Sequence, residues 1–357
     1  MAFDVDKILR MVMSRDCSDV HFHVGRPPTV RLDGRLRNFD MPVLTADDTQ
    51  SIMERITPER CLPEIEEKGG ADFAFPFEDG ARFRCAVYNQ RGNMSVVMRL
   101  LPSRMFTFEE IGLPMSIKNL LLKPRGLVLV TGPTGSGKTT TLATMIDFIN
   151  KEQDRHIITI EDPIEYYHEH KKSIISQREV HVDVGSFGHA TIKALRQDPD
   201  VILVGEMRDL ETMEAAIAAA ETGHLVFSTL HTTGAAKTVN RIIDAFPMQQ
   251  QEQIRTQFAT GLLAVISQEL LPKIGGGRVA AFEVMVMIPS IAHLIRENQV
   301  HKINSDIQTG KRHGMVMLDD FLLELHRSGQ AEFAEVMKRA QDPNGLQDKI
   351  KQAMPEN

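Results

Sequence analysis

The sequence has no tryptophan, and only three tyrosines and three cysteines occur among its 357 residues. Cys17, Cys61 and Cys85 lie far apart and form no C-x-x-C pair. This spacing predicts neither a disulfide framework nor a structural zinc site. Reduced thiols and a start that does not resemble a signal peptide predict a cytoplasmic protein.

Long apolar runs and an excess of positive charge are also missing. The longest apolar candidate, residues 280–295, is interrupted by Glu283, Pro289 and His293, and a membrane span needs roughly 20 apolar residues. We therefore expect only peripheral membrane contact, through a partner. The net charge of −7 argues against nucleic acid as a partner, and the 42% hydrophobic content is ordinary for a chain long enough for two domains.

One glycine-rich stretch, "VTGPTGSGKTTTL", is typical of a phosphate-binding loop. It matches G-x-x-x-x-G-K-[ST] between an apolar strand and a helix with one apolar face. Glycines let backbone N–H groups surround an anion, and the helix N-terminus favours negative charge. The pattern predicts ATP and Mg²⁺ as cofactors, with these nucleotide-binding residues: Gly132, Pro133, Thr134, Gly135, Ser136, Gly137, Lys138, Thr139 and Thr140.

Carboxylates follow two further apolar strands of the predicted sheet. Glu161, Asp162 and Glu165 come after "HIITI", and Glu206 ends "VILVGE". Ligands bind beyond the carboxyl ends of parallel strands, where such acids can hold Mg²⁺ or polarise water. A solvated acidic turn is the alternative for the first group.

Histidines and arginines give further candidates, each with a structural alternative. His224 starts the strand "LVFSTL" and His231 follows it, where a histidine can contact a γ-phosphate or simply pack. Arg84 and Arg99 lie on apolar strands, which favours either a salt bridge or a phosphate contact. The pair His21 and His23 fits the outward face of an edge strand better than a metal site.

Patterning divides the chain into regions of different composition. Residues 1–101 show an initial amphipathic helix, alternating strands, a hairpin turn at Asp33-Gly34 and a helical stretch at about 47–67, which predicts a small α+β domain. Residues 102–116 are predicted as a linker with a short helical turn. Residues 117–288 alternate strands and helices and predict an α/β domain with a parallel sheet, and residues 289–357 predict C-terminal helices.

Four long segments make the chain similar to a known family. "GLVLVTGPTGSGKTTTLA", "ITIEDPIEYYHEHKKSIISQREV", "ALRQDPDVILVGEMRDLET" and "AAETGHLVFSTLHTTGAAKTVNRIIDAFP" resemble the core of the secretion and type IV pilus ATPases. Within them the chain resembles the retraction ATPases of twitching motility. "SDVHFHVGRPPTVRLDG" and "RFRCAVYNQRG" resemble their PAS-like N-terminal domain. The resemblance implies a RecA-like P-loop ATPase core behind that α+β domain.

The resemblance also implies roles and partners. Lys138 and the surrounding loop correspond to the Walker A motif, and Glu165 corresponds to the catalytic base. Glu206 and Thr139 correspond to the residues that hold the metal ion. His224 and His231 correspond to the histidine box. Arg84 and Arg99 match arginines that reach the nucleotide from the N-terminal domain. A homohexamer is implied on the cytoplasmic face of the inner membrane, where it acts on a PilC-like platform protein, with a paralogous retraction ATPase as an optional further partner.

Alternatives stay open at this point. An accessory PilU-type ATPase differs in role rather than in site. Extension and type II secretion ATPases are longer at the N-terminus and usually carry paired cysteines. A non-hydrolysing scaffold would not need Glu165, and a DNA-translocating hexamer would bind nucleic acid. Residues 290–297 read "SIAHLIRE" where the retraction ATPases often have A-I-R-N-L-I-R-E, so Ala292 and His293 replace an arginine and an asparagine.

Overall fold

The computed structural model describes residues 3–15, 17–32, 34–101 and 104–353. Asp33 of the predicted hairpin turn and residues 102 and 103 of the predicted linker lie outside the described residues. The chain divides into two compact units, Met1–Arg104 and Met105–Asn357.

The first unit is an antiparallel sheet with helices, as predicted. Its six strands follow the order β3-β2-β1-β6-β5-β4, and the predicted pairing of β2 with β3 is confirmed. The predicted helical stretch at about 47–67 is broken near Pro58 into two helices. The bounds are α1 Val5–Ser14, β1 Asp19–Phe22, β2 Thr29–Leu32, β3 Arg35–Asn38, α2 Ala46–Ile56, α3 Leu62–Lys68, β4 Gly70–Pro76, β5 Arg82–Gln90 and β6 Asn93–Leu100.

The core of the first unit lies on one face of this sheet. Helix α1 buries its apolar side there, as expected from its amphipathic pattern, together with Val20 and Phe22 of β1. The predicted edge position of His21 is wrong, because β1 pairs with β2 on one side and with β6 on the other. The local alternation predicted a strand but carried no information on which strands would flank it.

The second unit is built on a sheet of seven strands in the order β13-β12-β7-β11-β10-β8-β9. Its strands are β7 Gly126–Thr131, β8 His156–Glu161, β9 Ile174–Glu179, β10 Val201–Val204, β11 Leu225–Leu230, β12 Leu262–Pro272 and β13 Arg278–Val286. Its helices are α4 Phe108–Ile111, α5 Lys118–Leu121, α6 Lys138–Glu152, α7 Phe187–Ala194, α8 Leu210–Glu221, α9 Ala235–Asp244, α10 Met248–Gly261, α11 Pro289–Arg296, α12 Ile303–Thr309, α13 Leu318–Arg327, α14 Phe333–Met337 and α15 Pro343–Ala353.

This sheet is parallel except for β13, which pairs antiparallel with β12. The four strands expected from the sequence are present and adjacent, as β7, β11, β10 and β8. One boundary differs, because β10 ends at Val204 and Glu206 therefore lies two residues beyond the strand. Strands β9, β12 and β13 were not expected, and β12–β13 widens the sheet beside β7.

Every residue of β7 and β11 is buried, because apolar clusters cover both faces of the sheet. The carboxyl ends of β7, β8, β10 and β11 share one edge, since these strands are parallel neighbours. Loops that follow those ends therefore meet at the position where ligands bind in such sheets.

The long apolar stretch at residues 280–295 divides between two elements. Its first part completes β13, and Pro289 starts α11. Within the described ranges, no helix combines the length and the apolarity needed to cross a membrane. The expected C-terminal helices are confirmed, as α11 to α15.

Candidate active site

The glycine-rich loop joins the end of β7 to the start of α6, as predicted. Gly137 precedes α6 with φ +88°, and no side chain caps this helix N-terminus. Gly132 has φ +142°, and a Cβ there would lie 2.2 Å from the backbone oxygen of Gln268. At these two glycines the backbone adopts the tight conformation, without a side chain, that an anion cradle needs.

A buried glutamine that the sequence reasoning missed braces this loop. Gln268 on β12 is 3% exposed. Its Nε2 donates to the Ser136 carbonyl at 2.7 Å, and its Oε1 accepts from Thr141 Oγ1 at 2.6 Å. Since Thr141 belongs to α6, Gln268 holds both the loop and the helix that follows. Only the pairing of β12 with β7, which the sequence did not reveal, could have identified it.

Lys138 is the first residue of α6, and the charges of two of the predicted carboxylates act on its ammonium group. Its Nζ donates to the carbonyls of Gly132 at 2.9 Å and Pro133 at 3.1 Å. Burial lowers the pKa of the Lys138 ammonium, and the negative charges of Glu206 and Glu165 oppose that shift. The structure therefore brings these three predicted residues into one electrostatic environment.

Glu206 is the centre of a polar chain at the carboxyl edge of the sheet. Arg208 Nε lies 2.8 Å from Glu206 Oε1, and His231 Nε2 lies 3.4 Å from Oε2. The other ring nitrogen of His231 is 3.5 Å from Thr134 Oγ1 in the glycine-rich loop. His231 is thus placed between the loop and Glu206, where it can respond to what the loop binds.

The segment that carries Glu165 is fixed against the first turn of α6. Tyr166 is 3% exposed, and its hydroxyl lies 2.8 Å from Thr140 Oγ1. Gln177 on β9 donates to the Tyr166 carbonyl at 2.8 Å and to Glu161 Oε1 at 3.2 Å. The acidic segment is therefore a bonded structure rather than a freely solvated turn. Tyr166 and Gln177 were not identified from the sequence.

His224 is placed apart from the other predicted site residues. It precedes β11, whereas the glycine-rich loop follows the opposite end of the neighbouring strand β7. Its Nδ1 contacts the Ala219 carbonyl at 3.0 Å, at the end of α8. A strand of six residues spans about 20 Å, so His224 is not brought to the loop of its own chain.

Arg84 and Arg99 belong to the first unit, where they are direct neighbours across β5 and β6. Both are exposed. Arg99 Nε donates to Asp19 Oδ1 at 2.8 Å, so one of the expected salt bridges is present. Burial alone would raise the pKa of Asp19, but hydrogen bonds from Ser18 and Arg99 hold it below its usual value. Asp19 therefore stays ionised and orients the Arg99 side chain.

The cradle, the uncapped helix and the lysine fit a nucleoside phosphate. Thr139 in the first turn of α6 and Glu206 beyond β10 offer the hydroxyl and the carboxylate that hold Mg²⁺ in such sites. Within the described residues, no group of histidine, cysteine, aspartate and glutamate side chains could hold a metal ion without a nucleotide. Cys17, Cys61 and Cys85 are buried in the first unit, and none of the three forms a disulfide bond.

Together these features define a P-loop ATPase with an α/β core. Residues 2–276 match the family described as type II/IV secretion system protein. The type IV pilus retraction ATPase PilT of Pseudomonas aeruginosa is 46% identical over 343 residues, which are 96% of this chain and 100% of the relative. The type IV pilus ATPase PilU of the same organism is 37% identical over 349 residues, 98% of this chain and 91% of the relative.

A crystal structure of the pilus retraction motor PilT with bound ADP has a TM-score of 0.90 and 46% identity. The match covers 97% of this chain and 99% of that one. The chain therefore belongs to the family of type II/IV secretion system proteins, and it is an ATP-hydrolysing enzyme.

Proposed function

We propose that this chain is the ATPase motor of type IV pilus retraction, which withdraws pilin subunits from the fibre during twitching motility. The observation that carries the proposal is the 46% identity to a pilus retraction ATPase over 96% of this chain and 100% of that protein. The 37% identity to PilU is lower, which favours the primary motor over the accessory one.

Within one chain, different residues have different roles in ATP hydrolysis. The backbone of the glycine-rich loop and Lys138 bind the β- and γ-phosphates, while Thr139 and Glu206 hold Mg²⁺. Mg²⁺ held there would offset the negative charge that develops on the transferred phosphoryl group. Glu165 accepts the proton of the attacking water, and Tyr166 keeps this segment against α6.

The motor works as a homohexameric ring in which neighbouring chains share each site. Arg84 and Arg99 are exposed and adjacent in the first unit, and Asp19 orients Arg99. Guanidinium groups of this kind stabilise the charge that develops on a transferred phosphoryl group. We propose that each chain presents them to the nucleotide of the next one. The ring acts on a PilC-like platform protein, from the cytoplasmic face of the inner membrane.

Gene deletion with complementation tests the cellular function. Deletion should abolish twitching and leave cells with more pili, and the wild-type gene should restore both properties. A gene carrying Lys138→Ala should restore neither. Loss of pili on deletion would instead indicate an extension ATPase, and unchanged pili would contradict the proposal. Full twitching on a deletion of this gene alone would point to an accessory motor.

A further inference from the structure

Glu283 on β13 is a buried carboxylate that has no part in the nucleotide site. It is 1% exposed, although isolated buried charges are strongly disfavoured. Its Oε1 accepts from the Ala235 N–H at 2.7 Å, and its Oε2 accepts from Gln341 Nε2 at 2.8 Å. Burial raises the pKa of Glu283, and hydrogen bonds from Ala235, Gln341 and the Leu318 backbone favour its charged form.

These partners place Glu283 at the N-termini of two helices. Ala235 is the first residue of α9, and Leu318 is the first residue of α13. Neither helix has a side chain of its own that caps its N-terminus. The Glu283 carboxylate therefore adds to the negative charge that both helix N-termini favour, and it joins the two helices through a single group.

Helix α9 leads directly from the loop that carries His231. Thr232 Oγ1 lies 2.7 Å from Thr238 Oγ1, which ties that loop to the first turns of α9. The Gly234 N–H donates to Ser267 Oγ at 2.9 Å, and Ser267 is the register partner of Glu283. Movement of His231 is thus mechanically connected to the start of α9.

The other side of Glu283 belongs to the C-terminal helices. Asp319 in the first turn of α13 accepts from the backbone N–H groups of Gln341 and Asp342, both at 2.8 Å. The Gln341 side chain therefore contacts Glu283 while its backbone is held by α13. A Cβ on Gly234 would lie 3.4 Å from Gln341 Nε2 and 3.5 Å from Glu283 Oε1, so these elements approach closely.

We propose that Glu283 is a positioning residue that transmits the nucleotide state from the His231 loop to helices α13–α15. Losing either helix partner would leave a buried charge less well compensated, so the start of α13 and the Gln341 segment follow any shift of α9. The inference rests on the proposed nucleotide site, because His231 reports on the bound phosphate through Thr134 and Glu206.

Hydrogen–deuterium exchange of the full-length protein, with and without ADP, tests the inference. In the wild type, ADP should change exchange both at residues 234–238 and at residues 318–322. In Glu283→Gln, which keeps the shape but removes the charge, the change at 234–238 should remain and the change at 318–322 should be lost. Glu335→Gln is the matched control on α14, where Glu335 pairs only locally with Lys338 and Arg339, and it should behave as wild type.

Two results overturn the inference: no ADP-dependent change at 318–322 in the wild type, or an undiminished one in Glu283→Gln. Gln341→Ala alters an exposed side chain and should also reduce the response at 318–322, so the test stands even where Glu283→Gln does not fold. ADP binding is measured on the same samples. Absence of ADP binding by the wild type would contradict the proposed function instead, which separates the two failures.

Discussion

At the scale of single residues, the charges of Glu165 and Glu206 both act on Lys138, but the two glutamates have different neighbours. Glu206 contacts Arg208 and His231 beyond β10. Glu165 lies in a segment fixed to α6 by its neighbour Tyr166. We propose that Glu206 acts on the metal ion and that Glu165 acts on the attacking water.

Glu165→Gln should reduce ATP turnover by about 10²-fold or more and leave nucleotide binding intact, because the side chain keeps its size but no longer accepts a proton. Lys138→Ala should weaken binding itself, since the phosphate contact is removed. ATP affinity and single-turnover hydrolysis are measured for both variants, with Glu169→Gln, an exposed position in the same segment, as the control. If Glu165→Gln hydrolyses ATP at the wild-type rate, the base is another residue, with Glu161 or Asp162 as the next candidates.

Tyr166→Phe should lower kcat by roughly 3- to 10-fold with little change in KM, because a part-buried hydrogen bond to Thr140 is lost while the ring remains. Tyr167→Phe is the matched control, since Tyr167 is the next residue and is 62% exposed. Steady-state kinetics of the two variants make the comparison. Equal kcat in both would mean that the hydroxyl of Tyr166 does not position Glu165.

At the scale of elements, β12 supports the glycine-rich loop from the side. Gln268→Glu keeps the acceptor for Thr141 but replaces the donor to the Ser136 carbonyl by an oxygen. We expect the Kd for ATP to rise by about 10-fold or more, in line with the penalty for an unsatisfied buried group. Titration with a fluorescent nucleotide measures it, and Gln250→Glu on the exposed side of α10 is the control. An unchanged Kd would show that the loop keeps its shape without this brace.

Helix α11 exposes polar side chains, and we propose that they contact a partner. Ile291, Leu294 and Ile295 are buried, while His293, Arg296 and Glu297 are exposed. Arg296→Ala should leave ATPase activity largely intact, because only an exposed side chain is lost. It should impair retraction in cells, because the proposed contact with the partner is lost. Arg327→Ala at the end of α13 is the control. Parallel losses in the ATPase and motility assays would mean that α11 supports folding alone.

Local sequence patterns predicted much of this architecture, but not the contacts between segments that are distant in sequence. The apolar strands, the glycine-rich loop and the acids behind each strand follow from spacing of a few residues. Gln268 braces a loop more than 130 residues earlier in the chain, and that contact depends on the order of strands. The same holds for β1, whose flanking strands come from distant segments, and for Glu283, whose partners lie on either side of it in sequence.

At the scale of the whole molecule, the residues proposed for one reaction are distributed over two units. The loop, Glu165, Glu206 and His231 lie in Met105–Asn357, and the two adjacent arginines lie in Met1–Arg104. Head-to-tail contacts between identical subunits close into rings when the rotation permits. A ring in which each chain gives its arginines to the next would make ATP turnover dependent on assembly.

Arg84→Ala or Arg99→Ala should accordingly reduce kcat by about 10-fold or more without preventing assembly, because a charge that stabilises the transition state is lost. Turnover is measured beside the oligomeric state by light scattering. Lys123→Ala, at an exposed position after α5, is the control. If the arginine variants assemble and still turn over ATP at the wild-type rate, Arg84 and Arg99 have no role in the nucleotide site.

Subunit mixing tests the central claim most directly. Glu165→Gln chains lack the base, and Arg84→Ala/Arg99→Ala chains lack the arginines, so each preparation alone should be nearly inactive. If sites are shared, equimolar mixing should restore roughly a quarter of wild-type turnover, since each site draws its two halves from independent subunits. Turnover that stays at the level of the separate variants, in mixtures shown to have exchanged subunits, would contradict a site completed by the neighbouring chain.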